Sequence, residues 1–145
     1  MSDPKTVNVT VRHMDGLQFV GMADSGHAVV MDSPMVELGG KNSAPTPMEL
    51  LLIGLGGCTG MDTISVLKKK RQPVESLEIK VRGTKAPTDP MRYTDVEIEF
   101  VIKGKGVEED AVKRAIKLSM DKYCSVKATL EQNTKVDFSY KIIEE

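Results

Sequence analysis

Apolar and polar residues alternate along the first part of the chain, as they do in half-buried β-strands. Residues 5–13 alternate around three valines, residues 17–22 resume the pattern, and residues 27–31 form a third short run. Asp15-Gly16 separates the first two runs, and an Asp-Gly pair in that position is a strong hairpin signal. The pattern therefore predicts three short strands. The next stretch, 32–45, is rich in Gly, Pro, Asn and Ser and is predicted to be a loop.

The clearest helix signal begins at Thr46. Pro47 suits the first helical position, and Glu49 follows Thr46 at the spacing of a capping box. The helix is expected to run to about residue 71, ahead of Pro73. Its first half is apolar nearly all round, which predicts that it is enclosed, and its glycines suggest that another backbone packs close against it.

The second half of the chain again alternates, over residues 76–85 and 93–103. A second helix is predicted with the acidic run 108–110 in its first turn and Tyr123 at the end of its apolar face. Ser125 is expected to cap a short third helix reaching about residue 132, and residues 134–143 read as a closing strand. Six strands and two long helices predict one α+β domain that spans residues 1–145.

Composition narrows the function classes. The 145 residues are 40% hydrophobic and 28% charged with a net charge of −1, as expected of one folded domain. Lys and Arg are interleaved with Asp and Glu, so we expect no nucleic-acid partner. The longest apolar run is shorter than a membrane span and the first residues are polar, which predicts a cytoplasmic protein without a membrane partner. His13 and His27 lack the spacing of metal ligands, and we expect neither a metal nor a cofactor.

The two cysteines, Cys58 and Cys124, are far apart in the sequence and lie in unlike settings. Cys124 sits at a predicted helix start beside Lys122 and Lys127, and both features predict a lowered pKa. If folding brings the two sulfur atoms together, they form a redox pair. If it does not, they are small buried hydrophobic residues.

Cys58 lies in mid-helix, where the helix dipole helps it little. Asp62, one turn on, would disfavour its thiolate. An activated Cys58 therefore requires a cation from another element, which Asp62 would hold in place. The candidates are Arg12, Arg82, Arg92 and Arg114.

Three segments together resemble the OsmC/Ohr family, and most closely its YhfA-like branch. They are SAPTPMELLL from Ser43, GGCTGMD from Gly56 and YCSV from Tyr123. The resemblance implies an intertwined homodimer in which antiparallel sheets wrap two long cysteine-bearing helices. It also implies thiol-dependent reduction of organic hydroperoxides in a stress response, with Cys58 as the peroxidatic and Cys124 as the resolving residue. The two would close a disulfide that a dithiol, of the lipoyl type, reopens.

The sequence departs from the peroxidase branches at two positions. Those branches carry a Glu directly after the helix-initiating proline and an Arg in the N-terminal hairpin region. Here Met48 follows Pro47, and Arg12 is only near the hairpin turn. Glu49 comes one place later, and helix periodicity points it away from Cys58. Two alternatives therefore stay open: a binding protein with an interface pocket for a small apolar ligand and redox-sensing cysteines, and sulfur or acyl carriage on Cys58.

Overall fold

A computed structural model describes residues 3–144, and the chain divides into two compact units, one ending at Leu50 and the other beginning at Leu51. The first unit contains the strands β1 (Val9–Asp15), β2 (Gln18–Ala23) and β3 (Ala28–Met31). They form an antiparallel sheet in the order β1-β2-β3. Gly16 adopts a φ of 55° at the β1–β2 turn, which confirms the predicted Asp-Gly hairpin.

The loop that follows β3 is organised around a buried carboxylate. Asp32 is 2% exposed. One of its oxygens accepts a hydrogen bond from the Ser33 N–H at 2.7 Å, and the other accepts from both the N–H and the hydroxyl of Ser43. A single 3-10 turn, Val36–Leu38, interrupts the loop. These bonds fix both ends of a segment that has no other regular structure.

The first helix, α1, spans Pro47–Lys69 and begins as predicted. The Thr46 N–H donates to Glu49 Oε1 at 2.9 Å, and the Glu49 N–H donates to Thr46 Oγ1 at 3.1 Å. The capping box is therefore confirmed. The helix ends two residues earlier than expected, with Lys68 and Lys69 in its last turn, where they complement the helix dipole.

The second unit contains a sheet of three strands in the order β4-β5-β6. These strands span Ser76–Lys85, Tyr93–Lys103 and Lys135–Ile143, close to the predicted bounds. β4 and β5 form an antiparallel pair, whereas β6 runs parallel to β5. The second sheet is therefore mixed rather than wholly antiparallel, within the predicted α+β class.

Two further helices lie between β5 and β6. They are α2 (Glu109–Leu118) and α3 (Ser125–Leu130), joined through a π-helical turn at Ser119–Tyr123. The prediction that Tyr123 closes the apolar face of α2 is wrong, because its side chain is 50% exposed. The wider π turn changes the angle between successive side chains, so the α-helical spacing no longer applies at Tyr123.

Alternate residues of β5 form the core of the second unit. Val96, Ile98, Phe100 and Ile102 are each 1% exposed or less. α1 covers the same face of the sheet, since a Cβ at Gly56 would lie 3.1 Å from Val81 and one at Gly60 would lie 3.3 Å from Ile79. Gly56 therefore admits side chains of β4 rather than another backbone as predicted, and Gly60 does the same.

The prediction that the first half of α1 is enclosed does not hold within this chain. The buried residues of the whole helix form a narrow stripe: Leu55, Gly56, Thr59, Thr63 and Leu67. By contrast, in the first half Leu51 is 43% and Ile53 is 59% exposed. By length and mean hydropathy (1.6 over 18 residues) α1 would pass for a membrane span. One such helix is weak evidence for a membrane, since core helices of soluble proteins share this composition.

Candidate functional site

Cys58 lies near the middle of α1, beside the narrow stripe that faces the sheet. Its neighbour Thr59 is fully buried, whereas the Cys58 side chain is half-buried. Asp62 lies four residues on and so shares its face of the helix. The Cys58 Sγ lies 3.9 Å from the Ser125 hydroxyl oxygen, which links α1 to the start of α3.

Cys124 occupies the joint between the π turn and α3. Its N–H donates to the carbonyl of Ser119 at 2.8 Å, which closes the π turn. Its Sγ accepts a hydrogen bond from the Lys127 N–H at 3.4 Å, so Cys124 itself is the N-cap of α3. The prediction that Ser125 caps this helix is therefore wrong. Ser125 is the first helical residue, and its hydroxyl is directed at Cys58.

The fold brings the two cysteines together. The two Sγ atoms and a carboxylate oxygen of Asp62 all lie within 4.8 Å of one another. Both thiols are free. A disulfide has a sulfur–sulfur distance of about 2.05 Å, so closing one requires an approach of at most about 2.8 Å from this arrangement.

The two thiols differ in acidity. Burial alone would raise the pKa of Cys58, but hydrogen bonds from the Val126 N–H, the Cys124 thiol and the Ser125 hydroxyl lower its pKa below the usual value. Burial raises the pKa of Cys124 to about 11, and the nearby negative charges of Cys58 and Asp62 add to the rise. The Lys127 N–H opposes this rise only in part.

This order is the reverse of the sequence prediction, which assigned the lowered pKa to Cys124. Cys124 is only 4% exposed, so the cost of desolvating its thiolate dominates. The two lysines beside it are directed elsewhere. Lys127 Nζ pairs with Glu131 at 2.6 Å, and Lys122 Nζ lies 5.3 Å from the centre of the Tyr123 ring.

A buried chain of hydroxyl groups holds Asp62. The Ser119 hydroxyl donates to Asp62 Oδ2 at 2.9 Å and lies 2.7 Å from Thr59 Oγ1. Because the single proton of Ser119 is used on Asp62, Thr59 must donate to Ser119. Thr59 and Ser119 are both fully buried. This series of hydroxyl groups has no signal in the sequence, because its three residues come from two distant segments.

The other sequence-predicted residues have different surroundings. Arg12 lies on β1 of the first unit, opposite Val20, and is exposed. Glu49 serves the capping box. Arg92 donates to the carbonyl of Asn133 at 2.6 Å and fixes the loop before β6. Within residues 51–144, no Lys or Arg forms an ion pair with Asp62.

A groove of about 580 Å³ opens beside Asp62. Apolar side chains of α1, α2 and the π turn form much of its wall: Met61, Val66, Leu118 and Tyr123. Lys69 and Lys70 lie at the end farther along α1. The groove therefore offers an apolar surface next to the cysteine pair.

Comparison with known proteins agrees with the arrangement of the second unit. The protein-family model OsmC, described as OsmC-like protein, matches residues 40–139. Protein YhfA of Escherichia coli K12 is 35% identical over 133 residues, which cover 92% of this chain and 96% of that protein.

Solved structures show the same fold. A hypothetical protein from Aquifex aeolicus VF5 is similar with a TM-score of 0.84 at 33% identity, covering 98% of this chain and 99% of the other. An organic hydroperoxide resistance protein OsmC from Legionella pneumophila has a TM-score of 0.70 at 16% identity, covering 97% and 99%. The second likeness concerns the fold alone.

Proposed function

Because this chain belongs to the OsmC family, in the branch that contains YhfA, we propose that it is a thiol-dependent peroxidase that reduces organic hydroperoxides through Cys58 and Cys124. One observation carries the proposal: two free thiols from distant segments lie side by side, one half-buried and the other buried. The neighbour from Legionella pneumophila, an organic hydroperoxide resistance protein, supports a peroxidase-like stress role.

The half-buried Cys58 is the peroxidatic residue in this proposal. Its thiolate attacks the outer oxygen of the hydroperoxide, the O–O bond breaks, and the alkoxide leaves as an alcohol after taking one proton. Cys58 becomes a sulfenic acid. The Cys124 thiol then attacks that sulfur, water leaves, and a disulfide forms. An external dithiol, of the lipoyl type, reduces the disulfide by exchange and is itself oxidised to a cyclic disulfide.

Hydrogen-bond donors replace the missing family side chains in this proposal. Met48 stands where the peroxidase branches have Glu, and the hairpin turn carries no Arg. Near Cys58 the second unit instead supplies the Val126 N–H and the Ser125 hydroxyl. Donors of this kind stabilise a thiolate without a formal positive charge.

The test uses reduced protein and cumene hydroperoxide, with free thiols counted before and after treatment. We expect both thiols to disappear together and an intramolecular disulfide to form. Cys58→Ser should abolish peroxide consumption. Cys124→Ser should stop at a sulfenic acid that a dimedone-type probe traps. Unchanged thiol counts, or full turnover by Cys58→Ser, would remove the proposal.

The same proposal includes the family's intertwined homodimer, a single OsmC-like domain over residues 1–145 and a cytoplasmic location. The exposed apolar face of α1, at Leu51, Ile53 and Met61, supports the dimer, because it needs a cover. Light scattering should give twice the chain mass for the wild type. Ile53→Lys should yield monomer, whereas Lys113→Glu, on the exposed side of α2, should leave the dimer intact. A wild type that is monomeric at every concentration would contradict it.

A second candidate is a binding protein that takes a small apolar ligand, with the cysteines as sensors. The groove beside Asp62 favours it. This candidate predicts slow oxidation of the thiols without turnover. It also predicts that an apolar ligand raises the melting temperature, and that the increase persists after both cysteines are alkylated. Repeated peroxide turnover with a dithiol would exclude it.

A further inference from the structure

Three residues with the chemistry of metal ligands converge at the site. Cys58, Asp62 and Cys124 each present one ligand atom, and these atoms lie within 4.8 Å of one another. We propose that the reduced protein binds one Zn²⁺ through Cys58, Asp62 and Cys124. This inference does not rest on peroxidase activity, since it concerns only the reduced side chains.

The spacing is close to what zinc requires. Zinc–sulfur distances of about 2.3 Å and zinc–oxygen distances of about 2.1 Å place the two sulfur atoms and the oxygen of a tetrahedral site about 3.6 to 3.8 Å apart. The present upper limit of 4.8 Å therefore asks for a closure of at most about 1.2 Å. Cys58 and Asp62 already share one helix face at i, i+4 spacing, as paired zinc ligands on helices do.

The carboxylate ligand is oriented in advance. Asp62 Oδ2 accepts from the Ser119 hydroxyl at 2.9 Å, and Ser119 is in turn held by Thr59 at 2.7 Å. Both hydroxyl residues are fully buried. A second layer of this kind fixes ligand rotamers in metal sites and raises their affinity. The other Asp62 oxygen receives no hydrogen bond from residues 51–144, which leaves it available to a metal.

The charges of the group favour a cation. Two thiolates and one carboxylate would carry three negative charges, and within residues 51–144 no Lys or Arg pairs with Asp62. Two sulfur ligands select a thiophilic metal such as Zn²⁺ over Mg²⁺ or Ca²⁺. Cys58 and Asp62 are both half-buried, so the fourth position faces solvent and suits a water molecule.

The experiment titrates reduced, metal-stripped protein with Zn²⁺ alone in competition with a chromogenic chelator. Co²⁺ serves as a spectroscopic probe in a parallel titration. We expect one metal per chain and, with Co²⁺, thiolate charge-transfer bands together with the d–d bands of a tetrahedral site. Cys58→Ser and Cys124→Ser should each remove the charge-transfer signature of a two-thiolate site. Asp62→Asn should weaken binding at least tenfold.

Matched controls separate this site from adventitious binding. Asp110→Asn removes an exposed carboxylate of α2, and His13→Gln with His27→Gln removes the imidazoles. Neither change should alter affinity. Alkylation of both cysteines in the wild-type protein blocks the two sulfur ligands without relying on the folding of a variant. The alkylated protein should bind no zinc. Absence of stoichiometric binding, binding that survives alkylation, or binding that follows the histidines would overturn the proposal. Peroxide plays no part in these readouts, so their outcome leaves the peroxidase proposal untouched.

Discussion

The hydroxyl chain between α1 and the π turn offers a quantitative test of the site. Ser119→Ala removes the acceptor for Thr59 and the donor to Asp62. Thr59 is fully buried, so its hydroxyl would be left without a partner at a cost of about 1 to 3 kcal/mol. Asp62 is only half-buried, so water can replace the Ser119 hydroxyl as its donor. Losing that hydrogen bond therefore adds less to the cost of the substitution. We expect Ser119→Ala to lower the free energy of unfolding by about 2 kcal/mol.

The double-mutant cycle isolates this interaction. Thr59→Val keeps the shape of the side chain and removes its hydroxyl, at an expected cost of about 1 kcal/mol. The double variant has no Thr59 hydroxyl that could be left without a partner. Its loss of unfolding free energy should therefore be about 1 kcal/mol smaller than the sum of the two single losses. Urea unfolding in the presence of a reductant and a chelator measures each free energy. For a chain of this size 1 kcal/mol corresponds to a shift of about 2 to 4 °C in melting temperature.

Thr63→Val is the matched control. Thr63 lies on the same helix, is equally buried and donates its hydroxyl to the carbonyl of Thr59 at 2.7 Å. That carbonyl lies in mid-helix, where a backbone N–H satisfies it as well. We expect this variant to lose less than about 1 kcal/mol. Additive costs at Thr59 and Ser119, or a Thr63→Val cost equal to that of Ser119→Ala, would refute the reasoning.

Three further predictions concern the cap, the buried loop carboxylate and the order of thiol modification. Thr46→Ala should cost about 1 kcal/mol in urea unfolding, because one side of the capping box is lost, yet leave peroxide consumption unchanged. Hydrogen bonds from the hydroxyl and N–H of Ser43 and from the Ser33 N–H hold the pKa of Asp32 below its usual range. The stabilisation that Asp32 provides is therefore complete above the unfolded pKa of about 3.9 and is lost as the pH falls towards the folded pKa. In Asp32→Asn, the free energy of unfolding should no longer show this decrease with acid. A bulky maleimide, added with a chelator, should modify the half-buried Cys58 before Cys124, as peptide mapping would reveal; earlier modification of Cys124 would contradict the burial pattern.

Local signals made much of the fold predictable. The capping box at Thr46, the Asp-Gly hairpin turn and the alternation of residues 76–85 and 93–103 each act through neighbours in the sequence. The parallel pairing of β6 with β5 could not be predicted in this way, because it depends on where the chain returns after α3. The same limit applies to Tyr123, whose exposure follows from a π turn without a sequence signature.

At the site, the sequence located both cysteines but assigned their acidities the wrong way round. Lys122 and Lys127 are close to Cys124 in the sequence, but their side chains are directed away from it. The Val126 N–H leaves no trace in the sequence, because every residue except proline carries a backbone donor and this one reaches Cys58 only once α3 meets α1. Burial of Cys124 likewise becomes visible only in the folded chain.

One short segment therefore determines the properties of both sulfur atoms. The π turn ends where the Cys124 N–H reaches the Ser119 carbonyl, and the chain then leaves the helical conformation at Cys124 and starts α3. That change of direction buries the Cys124 sulfur and directs the donors of Ser125 and Val126 at Cys58. The same turn carries the Ser119 hydroxyl that orients Asp62. Changes to the length of this turn should therefore alter thiol reactivity and carboxylate orientation together, whereas a single charged side chain would govern only one of them.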